Sequence, residues 1–168
     1  MNKIGVFYGS TTGTTEDLAR RIAEKLDVPS AHIYDVSKLT EALVGEYDVL
    51  VLGSSTWGAG ELQDDWYDGI KILKKCDLSH KYVALFGCGD SDSYSDTFCD
   101  AIGIIYEDLK DAHCKFCGAV DTAGYTFDSS IAVVDGKFIG LPIDEVNEDN
   151  QTEERISAWA EQVKQEIS

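Results

Sequence analysis

Basic residues are scarce in this chain. Its 168 residues hold 14 Lys and Arg against 31 Asp and Glu, a formal charge of −17. Nucleic acid and anionic membrane both need a basic footprint, so the balance argues against either as a partner. A basic protein partner, or solubility alone, is compatible with it. Proline is rarer still, at two residues, and with an apolar content of 43% this fits a compact fold rather than a disordered one. No apolar run approaches a membrane span, and Met1-Asn2-Lys3 leads straight into a strand-like stretch without a signal peptide. A cytoplasmic protein is expected. At this length one domain over residues 1–168 is the simplest organisation, able to bury roughly 70% of its unfolded surface.

Two phosphate-binding motifs are missing as well. Without Gly-Lys-Ser/Thr the chain does not cradle a nucleoside triphosphate with Mg²⁺, and without G-x-G-x-x-G the dinucleotide fingerprint fails. What the chain has instead is Gly9-Ser10-Thr11-Thr12-Gly13-Thr14-Thr15. This stretch follows an apolar run, Ile4 to Tyr8, and precedes a helical pattern from Glu16 to Leu26. A strand, a hydroxyl-rich loop and a helix N-terminus make an anion site, because free backbone N–H groups and the helix dipole favour negative charge there. A Thr-rich helix cap is the plainer reading of the same residues. A phosphate held with no Lys or Arg nearby points to a permanently bound monoester rather than one to be cleaved.

The five cysteines are odd in number and scattered. Cys114 and Cys117 lie three apart in a strand-like run, so they face opposite sides and suit neither one metal nor one disulfide. Most of the five read as small buried hydrophobes, and no metal site is expected.

Taken in order, strand and helix alternate. His32–Val36, Tyr47–Leu52, Tyr82–Phe86 and Phe116–Val120 read as further strands. Helical spacing recurs weakly at Leu39–Val44 and clearly at Asp64–Lys74, with Trp66, Ile70 and Leu73 on one face. It returns at Phe98, Ile102, Ile105 and Leu109, and from Thr152 through Ile156, Trp159, Ala160, Val163 and Ile167. Five alternations predict an α/β fold, a parallel sheet covered on both faces. One section breaks the rhythm, from Asp121 to Gln151. Within it Asp135-Gly136 separates two apolar runs, Ser130–Val134 and Lys137–Leu141, which is a hairpin signal. We expect an insertion of roughly residues 121–141 in the fifth strand region.

Ligands in such sheets bind beyond the strands' carboxyl ends, at the topological switch point. Three Gly/polar loops end strands one, three and four: 9–15, 53–60 and 87–94. The second carries Trp57 and the third Tyr94, which describes a site for a mononucleotide with a flat ring.

These loops resemble those of the flavodoxins, the long-chain group in particular. Ser10, Thr11, Thr12, Gly13, Thr14 and Thr15 match the FMN phosphate loop of that family. Ser55, Thr56 and Trp57, with Gly60-Glu61-Leu62, resemble its second loop. Cys88, Gly89, Asp90, Tyr94, Phe98 and Cys99 resemble its third. The resemblance implies a five-stranded sheet in the order 2-1-3-4-5, with the isoalloxazine between Trp57 and Tyr94. Thr56, Trp57, Gly58, Ala59, Gly89, Asp90 and Cys99 would line its edges, and the Gly58-Ala59 peptide would serve flavin N5. It departs from the family at Val146, where an acid is frequent; Asp144 and Asn147 stand nearby.

The function implied is that of a low-potential electron carrier with non-covalent FMN and no substrate of its own. It would shuttle electrons between a reductase and acceptor enzymes with basic surfaces, and would act as a monomer. An FMN-dependent oxidoreductase of the quinone reductase type is the alternative, but a ring sandwiched by two aromatics leaves only an exposed edge, which suits electron transfer better than hydride transfer. A phospho-acceptor receiver domain would need acids where Gly9-Ser10 and Gly53-Ser54 stand.

Overall fold

The structure is a computed structural model and describes residues 3–10, 12–57 and 60–168. Its elements run β1 (Ile4–Gly9), α1 (Thr14–Lys25), β2 (Ile33–Asp35), α2 (Glu41–Gly45), β3 (Val49–Trp57) and β4 (Glu61–Leu62). Then follow α3 (Asp65–Lys74), β5 (Tyr82–Cys88), α4 (Asp100–Leu109), β6 (Lys115–Cys117) and β7 (Val120–Asp121). The chain closes with β8 (Val133–Val134), β9 (Lys137–Phe138), β10 (Leu141–Ile143) and α5 (Asp149–Ile167). Strands β2, β1, β3 and β5 lie side by side in parallel, and β6 and β10 both continue the sheet beyond β5. This is the expected order, 2-1-3-4-5.

The side-chain period of two splits each central strand between two cores. Phe7, Leu50, Leu52, Val83 and Leu85 point to one face, where Trp66, Ile70 and Leu73 of α3 and Ile102, Ile105 and Leu109 of α4 cover them. Val6, Tyr8, Val49, Val51, Ala84 and Phe86 point to the other, under Leu18 and Ile22 of α1 and Ile156, Trp159 and Val163 of α5. Burial on both faces explains why these strands read as unbroken apolar runs.

The fifth strand position differs from the sequence expectation. An uninterrupted strand over Phe116–Val120 does not form. Gly118 takes φ +83°, and its carbonyl accepts a bond from Trp159 Nε1 at 2.8 Å. The position is filled instead by two half-strands. β6 pairs with the first half of β5 through Tyr82↔Lys115, and β10 with the second through Leu141↔Phe86. Between them, residues 118–140 leave the sheet, and Leu141 belongs to β10 rather than to the hairpin. The Asp135-Gly136 turn does close the β8–β9 hairpin, both residues at positive φ (53° and 84°) as a type I′ turn requires. Val120 joins this small sheet opposite Phe138.

Smaller shifts have local causes. Helix α1 starts two residues early, after Gly13 in the left-handed region. His32 ends one short 3-10 turn and Val36 begins another, trimming β2. β3 runs on to Trp57, because β5 accompanies it as far as Ser55 and β4 then folds back on Thr56 and Trp57.

Replacing Gly118 with alanine is expected to destabilise the protein by about 2–4 kcal/mol. Roughly 1 kcal/mol comes from the left-handed backbone and the rest from a Cβ set 2.6 Å from Trp159 Nε1. Urea unfolding followed by circular dichroism measures it, and a loss under about 1 kcal/mol would show that the kink is dispensable.

Candidate functional site

A cleft of about 230 Å³ opens at the carboxyl ends of β1, β3 and β5. Thr12 and Thr14 line it from the start of α1, Ser55 and Thr56 from β3, and Cys88, Gly89, Asp90, Tyr94 and Thr97 from the β5–α4 connection. Glu145 and Val146, between β10 and α5, complete the wall. The arrangement brings all three expected loops together with a fourth, the one in which Val146 stands where the resemblance leads one to look for an acid.

Of the expected phosphate loop, Ser10 and Gly13 are tied together directly. Ser10 Oγ accepts a bond from the Gly13 N–H at 3.0 Å, and Gly13 caps α1 without any side-chain acceptor of its own. The first-turn N–H groups of a helix have no intrahelical acceptor, so they remain available to an anion. Thr15 is buried, its hydroxyl 3.3 Å from Cys88 Sγ. Burial pushes the Cys88 thiol up to about 11, while Thr15 pulls it back, so this sulfur stays protonated at neutral pH.

Thr56 Oγ1 receives the Ala101 N–H at 3.2 Å, which fixes the end of β3 against α4. Gly60, at φ +98°, lies against the carboxylate of Asp100. Thr11, Gly58, Ala59 and the Trp57 side chain, and with them the expected ring sandwich and N5 contact, lie outside the described residues. Tyr94 is 48% exposed at the cleft. Two expected site residues turn their side chains inward. Phe98 is fully buried among Tyr125, Phe127 and Phe138, and Cys99 is buried with Sγ toward the Gly87 and Ile143 carbonyls. Both side chains are core behind the cleft.

The 90s loop is shaped by carboxylates. Asp90 Oδ1 accepts from the N–H groups of Asp92 and Ser93 and from Asn147 Nδ2 at 2.8 Å. Asp144, fully buried, accepts from Ser91 (N–H and hydroxyl), from the N–H groups of Val146 and Asn147, and from Asn147 Nδ2. One carboxylate thereby joins two of the four cleft walls. Burial opposes the charge on Asp144, but the Ser91 and Asn147 donors outweigh it and hold its carboxyl below the usual range. Donors from Ser93 and Asn147 do the same for Asp90.

Sequence reasoning missed Thr97 and Glu145. Two hydroxyls on the cleft, Ser55 Oγ and Thr97 Oγ1, are buried without a partner among the described residues. Groups of this kind usually have one, so they are ready to bond a ligand. No Lys, Arg or His lines the cleft among the described residues, and no three His, Cys, Asp or Glu side chains there are grouped to hold a metal.

Residues 6–159 match the family model described as Flavodoxin. The chain belongs to the flavodoxin family. It is 43% identical over 164 residues to a flavodoxin of Buchnera aphidicola, covering 97% of this chain and 96% of that one. It is 40% identical over 173 residues to flavodoxin 1 of Azotobacter vinelandii, with coverage of 99% and 98%. Among solved structures, the Fusobacterium nucleatum flavodoxin bound to flavin mononucleotide superposes with a TM-score of 0.89 at 30% identity, covering 99% of both chains. Membership in this family, whose members carry electrons and are not enzymes, sets aside both the quinone reductase and the receiver-domain alternatives.

Because Asp144 is depressed below about 3.9, it adds stability that is fully present above about pH 4 and lost as pH falls through its folded value. Asp144→Asn should therefore flatten the acid limb of the stability–pH curve by up to one proton. An unchanged slope in acid urea titrations would mean that the network does not depend on the charge.

Proposed function

We propose that this chain is a low-potential electron carrier that holds FMN non-covalently in the cleft and has no substrate of its own. One observation carries the reading: a single cleft gathers a helix N-terminus, an exposed Tyr94 and two buried hydroxyls without partners among the described residues. These groups fit the cofactor. Thr12, Thr14 and the first turn of α1 would hold the phosphate, and Ser55 and Thr97 would bond polar edges of the ligand. When bound, FMN supplies the one- and two-electron chemistry.

The chain's residues decide how readily electrons are accepted. Asp90 puts negative charge beside the cleft. One carboxylate ~6 Å from a ring at an effective dielectric of ~20 opposes an added electron by roughly 2–3 kcal/mol. For one electron that is on the order of 100 mV, which favours a low potential. We read residues 1–168 as one cytoplasmic, monomeric domain of the long-chain type. The segment 118–140 supports the last point. Donor reductase and acceptor enzymes would meet the acidic surface through basic ones.

Apoprotein titrated calorimetrically with FMN and with riboflavin tests the cofactor assignment. FMN should bind far more tightly, and equal affinities would sink the phosphate loop. A second measurement addresses partners. With −17 on the chain, the second-order rate of reduction by a basic reductase should fall between ~50 and ~500 mM salt. A flat profile would leave the acidity as a device for solubility alone.

A further inference from the structure

The loop between β10 and α5 offers the cleft a single carboxylate. Asp144 is turned inward to Ser91 and Asn147, and Val146 is apolar, so Glu145 alone brings charge. Both of its oxygens are held. Arg21 Nη1 donates to Glu145 Oε1 at 2.8 Å, and Thr152 Oγ1 donates to Oε2 at 3.0 Å. Arg21 also reaches Glu153 at 3.2 Å and Asp17 at 3.6 Å. Its side chain is 29% exposed and that of Glu145 24%, so the pair is partly withdrawn from water. Among the described residues, Arg21 is the only cation paired with a carboxylate that lines the cleft. It rides on α1, the helix whose first turn faces the same cleft.

We propose that Arg21 is the charge-compensating residue of the phosphate end, acting through Glu145, and that it sets the preference for a phosphorylated over a dephosphorylated flavin. The inference rests on the FMN reading above. A phosphate monoester carries about −1.5 to −2 at pH 7. Placed beside an unpaired Glu145 it would meet a like charge in a partly desolvated wall, where repulsion is weakly screened. Arg21 cancels that charge while fixing the carboxylate in place. A neutral-hydroxyl cradle then suffices for the phosphate, with no cation among the described residues of the lining. Riboflavin lacks the phosphate, so its affinity is indifferent to Arg21. If Arg21 served only to pin α1 to α5, both ligands would suffer alike.

The test is the ratio of riboflavin to FMN dissociation constants for folded apoprotein at low ionic strength. In Arg21→Gln the FMN preference should fall about 5-fold with riboflavin affinity unchanged, and the loss should shrink in ~0.5 M salt. Arg21→Lys should retain most of the preference. Adding Glu145→Gln to Arg21→Gln should restore it. A preserved ratio in folded Arg21→Gln, or equal losses for both ligands, overturns the proposal. If Arg21→Gln does not fold, Glu145→Gln alone decides the matter. It should raise the FMN preference, and no change overturns the proposal. A wild-type protein that did not prefer FMN would instead refute the cofactor reading, and this is seen before any variant is made.

Discussion

The site depends on the parallel pairing of β3 with β1 and β5. Its register sets Gly9 opposite Ser54, Ser54 opposite Gly87 and Ser55 opposite Cys88. The three parallel pairings therefore stop within a residue of one level, and the loops that follow open onto a common space. Parallel strands expose their carboxyl ends together only when crossovers return the chain to the same starting edge, which α1, α3 and the helices between them do. A slip of one residue in β3 would move Leu50 and Leu52 from one core to the other. The same packing that stabilises the sheet thus fixes where the cleft lies.

Charge is handled differently at the cleft and over the rest of the surface. Most ion pairs are exposed, such as Arg20–Glu16 and Lys71–Asp68, and each is worth little. At the cleft, neutral donors fix Asp90 and Asp144 and leave their charge, while one guanidinium fixes Glu145 and offsets its charge. Asp90 and Asp144 shape loops through N–H groups, and Glu145 is held by Arg21 and Thr152. Fixed negative charge beside neutral hydroxyls suits a site that binds an anion at one place and resists added electrons at another.

Much of this was legible because periodicity reports burial. Val49 to Leu52 are buried on both faces, and Trp66, Ile70 and Leu73 on one, as their spacing indicates. Gly-rich strand ends marked three of the four cleft walls for the same reason: a backbone that must turn at a sheet edge leaves its signature in composition. The fifth strand was hidden because the kink at Gly118 sits inside an apolar run, and β10 is too short for a period to show. Phe98 matched a loop motif, yet an aromatic in such a loop can face core or ligand, and only the partners Tyr125, Phe127 and Phe138 decide. Glu145 carried no local signal at all, since its partner Arg21 lies 124 residues away.

That non-locality extends to the wall that carries Tyr94 and Thr97. The Ser95 carbonyl accepts from the Asp128 and Ser129 N–H groups, Phe98 N–H donates to the Ser129 carbonyl, and Ile131 N–H donates to Asp100 Oδ1. Ser95 and Ser129 hydroxyls add bonds to Asp128 and to the Asp96 carbonyl. Beneath them the rings of Phe98, Phe127 and Phe138 pack together. Arg155 joins the opposite side, donating to Glu148 and to the Gly124 carbonyl while lying 3.9 Å from the Tyr125 ring centroid. The segment that leaves the fifth strand therefore returns as a brace on two loops of the cleft. Strand ends fix where these loops begin, and contacts with residues 124–131 fix much of their later course.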